Sequence, residues 1–97
     1  MAVTVLVELK AKPDCAQALK SLWRGCMADT RAYDGCIDIF VYENQDEPAN
    51  FVLIENWESK AQYDKYLAWR TETGFVEQVI SKCEGDLRFG FYDRSDI

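Results

Sequence analysis

Hydrophobic and polar positions alternate from Val3 to Lys10, with Val3, Val5, Val7 and Leu9 on one side and Thr4, Leu6, Glu8 and Lys10 on the other. A period of two over β-branched residues predicts a first strand. Ala11-Lys12-Pro13-Asp14 breaks the pattern; Pro13 suits a first helical turn and Asp14 the positive end of its dipole. From Asp14 to about Ala32 the period lengthens. Cys15, Leu19, Leu22 and Cys26 recur at intervals of four, three and four, widened by Trp23 and Met27, as an amphipathic helix requires. Tyr33-Asp34-Gly35 ends it with a turn signal.

Alternation returns over Cys36 to Glu43 and in the β-rich run Phe51 to Glu58, separated by the polar loop Asn44 to Asn50. These read as antiparallel second and third strands. Ser59 followed by Gln62 forms a capping-box pattern ahead of Tyr63, Tyr66, Leu67 and Arg70, predicting a second helix. Thr71 to Gly74 interrupts it, and Phe75, Val76, Val79 and Ile80 predict a further helical piece to about Lys82. Glu84-Gly85-Asp86 is expected as a turn before a last strand in which Leu87, Phe89 and Phe91 alternate with Arg88, Gly90 and Tyr92. Residues 94–97 are expected as a loose tail. The order βαββαβ predicts an α+β, ferredoxin-like domain with a four-stranded antiparallel sheet and its helices on one face.

The third strand then poses a problem of cover. It carries Phe51, Leu53, Glu55 and Trp57 on one side and Val52, Ile54, Asn56 and Glu58 on the other, so both sides are largely apolar. If Val52 and Ile54 face the helices, Phe51, Leu53 and Trp57 lie on the open face. The second strand would then put Ile37, Ile39 and Val41 under the helices and Phe40, Tyr42 and Asp38 on the open side. An exposed aromatic sheet needs covering, most simply by a second copy, so a homodimer is expected.

Composition narrows the partners. The chain has 97 residues, room for a single domain spanning 1–97 with its core at about 2–92. Seventeen acidic residues against 11 basic ones leave a net charge of −6, and the basic residues are dispersed, which disfavours nucleic acid and anionic membranes. No segment approaches the length of a membrane span or resembles a secretory leader, so a cytoplasmic protein is expected. Four cysteines without a C-x-x-C unit, and no His, argue for reduced structural thiols rather than a zinc site.

The run Thr30-Arg31-Ala32-Tyr33-Asp34-Gly35-Cys36, the loop Asp46-Glu47-Pro48, and Phe51 to Ser59 (FVLIENWES) together resemble the antibiotic biosynthesis monooxygenase family over about Ala2 to Tyr92. The resemblance implies a dimeric α+β barrel with a ligand cavity between helices and sheet. In some members that cavity oxidises phenols or quinols with O₂ and neither metal nor flavin, so no cofactor is expected. Members often carry a His nine residues after the strand Trp and another five further on; here those positions are Tyr66 and Thr71. Haem-degrading members use a His as iron ligand, which this chain lacks. Aromatic-polyketide oxygenases of the family often place Asn four residues before the Trp, where this chain has Leu53.

Candidate site residues follow. Trp57 and Phe40 would wall an aromatic pocket with Leu53 and Asn56, or Trp57 would simply pack at the dimer face. Glu55, amid apolar neighbours, would be a general base of raised pKa or the partner of an arginine such as Arg88 across the interface. Tyr66 would donate a hydrogen bond to a substrate oxygen or act as a core tyrosine. The expected function is cofactor-independent monooxygenation of a small aromatic phenol or quinol. The alternatives are a non-catalytic dimer that binds a small apolar ligand and an isomerase or lyase acting on a keto acid.

Overall fold

The structure, a computed structural model, describes residues 2–97. Its elements run β1 (Val3–Ala11), α1 (Ala16–Ala32), β2 (Cys36–Glu43), β3 (Asn50–Trp57), α2 (Lys60–Glu72), α3 (Phe75–Ser81) and β4 (Cys83–Tyr92). The sheet order is β2-β3-β1-β4, with every neighbouring pair antiparallel. This is the ferredoxin-like arrangement that the alternation of periods predicts, with its last helical segment split in two.

Local chemistry explains most boundaries. Pro13 and Asp14 do not open α1. They form a turn closed by Cys15 N–H donating to Lys12 C=O at 3.0 Å, with Asp14 at φ 65°. Proline followed by a left-handed residue is type II turn chemistry, so the helix starts two residues later than expected. Ser59 caps α2 as its capping box predicts, its Oγ accepting from Gln62 N–H at 3.2 Å. Gly74 at φ 81° separates α2 from α3. Gly35, at φ 93°, sits against that cap so closely that a Cβ would lie 2.6 Å from the Gln62 side chain.

The β1 side of the core follows its alternation: Val3, Val5, Val7, Leu9 and Ala11 are all buried. Register then decides β3. Val3 pairs with Trp57, Val5 with Glu55, Val7 with Leu53 and Leu9 with Phe51, so these four β3 residues share the helix side. The face expected for β3 is therefore reversed. Val52, Ile54 and Asn56 lie on the open side, because paired residues in a sheet point the same way and the inner face of β1 is unambiguous.

Two bulges account for the remaining differences. The β2–β3 register shifts between Cys36 and Asp38, which leaves Ile37 unpaired and 54% exposed rather than under the helices. Ile39 is buried and Val41 is half-buried on the inner face, while Phe40 and Tyr42 are outside, as expected. In β4, the Glu84-Gly85-Asp86 segment is not a turn before the strand but an irregularity within it. Glu8 pairs with Arg88 and Lys10 with Glu84, so two steps of β1 face four of β4, with Gly85 at φ 71°. Residues 93–97 form no regular element, and no helix is long and apolar enough to cross a membrane among the described residues.

Candidate active site between sheet and helices

The inner face of β3 brings Trp57 and Glu55 beneath α2. Trp57 is fully buried, with ring centroids of Tyr66 at 4.9 Å, Tyr63 at 5.5 Å and Tyr33 at 6.3 Å. Tyr33 comes from the turn after α1 and stacks on Trp69 at 5.3 Å. The two tyrosines of α2 reach Trp57 because positions 63 and 66 fall on one side of a helix.

Glu55 is only 3% exposed, and Trp57 Nε1 donates to its Oε1 at 3.1 Å. No cation pairs with this carboxylate, and Oε2 has no hydrogen-bond donor, among the described residues. Burial pushes its pKa up to about 7, and the Trp57 hydrogen bond opposes only part of that rise. Arg88, the expected partner, lies on the other side of the sheet and pairs with Glu8 at 3.3 Å.

A cavity of about 60 Å³ lies between the layers. Val7, Ile39, Leu53 and Glu55 line it from the sheet, Thr30 from α1, Tyr63, Tyr66 and Arg70 from α2, Phe75 and Val79 from α3, and Leu87 and Phe89 from β4. Its walls are mainly apolar, with a carboxylate and a guanidinium as the charged groups. A ring-sized cavity is on the order of 150 Å³, so an aromatic ligand needs the lining to move. On the β4 side of the cavity Phe89 is 40% exposed.

A second polar cluster closes the helix side. The Tyr66 hydroxyl lies 2.8 Å from Thr30 Oγ1 and accepts from Arg70 Nε at 3.1 Å. Arg70 Nη2 donates to Cys26 C=O at 3.1 Å and to Thr30 Oγ1 at 2.9 Å, and Thr30 Oγ1 donates to Cys26 C=O at 3.3 Å. With the threonine proton directed to Cys26, the Tyr66 proton goes to Thr30. The Tyr66 hydroxyl is thus hydrogen-bonded within the protein, to Thr30 and Arg70. Burial raises the pKa of both tyrosines, so they remain neutral.

Of the expected site residues, Glu55, Leu53 and Tyr66 meet at the cavity. Trp57 stands behind it, holding Glu55 rather than forming the wall. Phe40 and Asn56 are on the opposite face and cannot wall the same pocket. Phe40 is 51% exposed with Arg31 over its ring at 5.5 Å, and Asn56 bridges Thr4 and Asp38 at 2.7 and 2.8 Å. Sequence reasoning missed Thr30 and gave Arg70 no chemical role. A signal existed in α1, where the stripe Leu19, Trp23, Cys26 continues by four to a polar Thr30 that is fully buried.

Comparison with known proteins identifies the family and the fold. The model of the family described as antibiotic biosynthesis monooxygenase matches residues 2–78. Rv0793 of Mycobacterium tuberculosis, a candidate monooxygenase by its name, is 32% identical over 78 residues, covering 74% of this chain and 76% of its own. The solved Rv0793 structure superposes with a TM-score of 0.88, at 25% identity over 100% of this chain and 98% of that one. A conserved protein from Methanosarcina mazei Go1 shares the fold with a TM-score of 0.90 at 19% identity, covering 98% and 94% of the two chains. A mutant form of SnoaB, a cofactor-independent oxygenase from Streptomyces nogalater, shares it with a TM-score of 0.85 at 12% identity, covering 99% and 95%. The chain belongs to the antibiotic biosynthesis monooxygenase family.

Proposed function

We propose that this protein is a monooxygenase that uses O₂ without metal or flavin to oxidise a small phenol or quinol in the cavity beside Glu55. The observation that supports it is a buried carboxylate that no cation among the described residues pairs with, facing an apolar cavity and held by Trp57. Such a group costs stability, and a pKa of about 7 brings it within roughly three units of a phenol. It is half ionised near neutral pH and strong enough to take a ring hydroxyl proton. SnoaB, described as a cofactor-independent oxygenase, lends the chemistry precedent on this fold.

The steps balance without an added reductant. Glu55 removes the hydroxyl proton; the phenolate passes one electron to O₂, giving a ring radical and superoxide, and their recombination forms the C–O bond. Protonation of the outer oxygen gives a hydroperoxide. Loss of that oxygen as water, with the ring hydrogen, leaves the quinone. The apolar walls keep bulk water from the anion and the radical pair.

An oxygen electrode tests this with a panel of hydroquinones at pH 8. Uptake should exceed autoxidation, and Glu55→Gln should lower it by about 10²-fold or more. Uptake no faster than autoxidation across the panel overturns the reading. A non-catalytic binding protein is the second reading, favoured by the committed Tyr66 hydroxyl. It predicts binding without O₂ uptake and affinity within a few-fold in Glu55→Gln.

We also infer that two copies pair through the open sheet face, where Leu6, Phe40, Tyr42, Val52 and Ile54 form an apolar patch among polar groups.

A further inference from the structure

We propose that Arg70 is an anion-binding residue of the cavity, and that the substrate is an aromatic hydroxy acid whose carboxylate it holds while the ring hydroxyl points to Glu55. The substrate class rests on the monooxygenase reading; the anion site stands without it.

Arg70 is 7% exposed, and no carboxylate pairs with it among the described residues. A guanidinium stays charged at any physiological pH, so this is a buried cation lacking a counter-ion. Its protein contacts are specific but incomplete. Nε donates to Tyr66 and Nη2 to Cys26 C=O and Thr30 Oγ1. Aromatic rings lie close to the guanidinium, with centroids of Trp69 at 4.4 Å, Phe75 at 4.8 Å and Tyr66 at 5.5 Å. Of the five N–H donors, the two on Nη1 have no acceptor among the described residues.

A purely structural tie across α1 and α2 would need only the Nε and Nη2 contacts. It would not need a full charge at the wall of an apolar cavity. The bonds made by Nε and Nη2 leave the Nη1 edge for a ligand, open to the in-plane approach that carboxylates take to arginine. Glu55 and Arg70 both line the cavity and are joined behind it by side-chain contacts: Glu55 accepts from the Trp57 indole, the indole lies against the Tyr66 ring, and the Tyr66 hydroxyl accepts from Arg70. An anionic ligand would be repelled by Glu55 at one end and attracted at the other, which orients it. The hydroxyl is thereby delivered to the base.

Calorimetric titration of the full chain with benzoate and with benzamide isolates the anion site, since benzoate has a ring and a carboxylate but no oxidisable hydroxyl. Benzoate should bind at least 10-fold more tightly than benzamide. Arg70→Met should reduce that preference to below 2-fold, and Arg70→Lys, which keeps the charge without the planar fork, should leave an intermediate value. Equal affinities in the wild type, no benzoate binding, or an undiminished preference in Arg70→Lys or Arg70→Met each overturns the anion site. The wild-type and Lys arms decide it even if the Met variant fails to fold. An oxygen electrode with 2,5-dihydroxybenzoate then separates the two readings. Benzoate preference without O₂ uptake by the hydroxy acid or the hydroquinones leaves Arg70 standing and sinks the oxygenase; uptake without preference does the reverse.

Discussion

Two glutamates on the central strands of one sheet have opposite environments. Glu8 on β1 points to the open face, is well exposed, and pairs with Arg88 at 3.3 Å. Glu55 on β3 points under the helices, touches no cation among the described residues, and is held only by an indole N–H. The residue type is the same; the layer above decides the chemistry. On the outer face the carboxylate meets water and a neighbouring cation, and on the inner face desolvation turns it into a group that ionises near neutrality.

The largest expected effect is on the inner face. Trp57→Ala should cost about 3 to 5 kcal/mol, since it empties the centre of the aromatic cluster and removes the indole N–H that donates to Glu55. Urea unfolding followed by circular dichroism measures it; a loss under about 1 kcal/mol would mean that Trp57 does not organise this core.

Glu55 itself should make stability fall with pH. Its folded pKa, about 7, lies above the ordinary 4.5, so the native state holds its proton more tightly than the unfolded chain. The contribution is fully present below about pH 4.5 and is lost as pH rises through 7, a span of about 3 kcal/mol. Melting curves from pH 5 to 8 should show this decline in the wild type and a flatter profile in Glu55→Gln. Parallel profiles would place the titrating group elsewhere.

On the outer face, Ile54→Asp should change the stability of the single chain by no more than about 1 kcal/mol, as its side chain is only partly covered. It should nevertheless abolish self-association. Sedimentation should find the wild type at twice the chain mass and the variant at the chain mass; a wild type that sediments as one chain at micromolar concentration removes the dimer.

The smallest effect belongs to Glu8 and Arg88. A double-mutant cycle with alanine should give a coupling of roughly 0.2 to 1 kcal/mol that vanishes in high salt. A larger, salt-resistant value would show that the pair is buried in an assembly.

Legibility followed the same division. The inner set of β1, the helical stripe of α1, the Ser59–Gln62 cap and the break before α3 were readable because each depends on residues close in sequence. The assignment of β3 was not readable, since both its sides are apolar and only pairing with β1 selects one. The Ile37 bulge escaped for a related reason: an extra residue in a ladder leaves the local composition unchanged. Glu55 was legible as a carboxylate among Phe51, Leu53 and Trp57. Phe40 and Asn56 were grouped with it wrongly, once the face was reversed.

The order of strands and helices, and the presence of one acidic residue within an aromatic strand, were determined by the sequence alone, through side-chain periodicity and short-range capping. Tertiary structure decided which face of that strand is dry. It also brought Arg70, fifteen residues beyond Glu55, to the same cavity and bound it to a threonine forty residues earlier. Burial and the lack of a counter-charge are properties of surroundings assembled from distant segments. For that reason no local pattern could assign them.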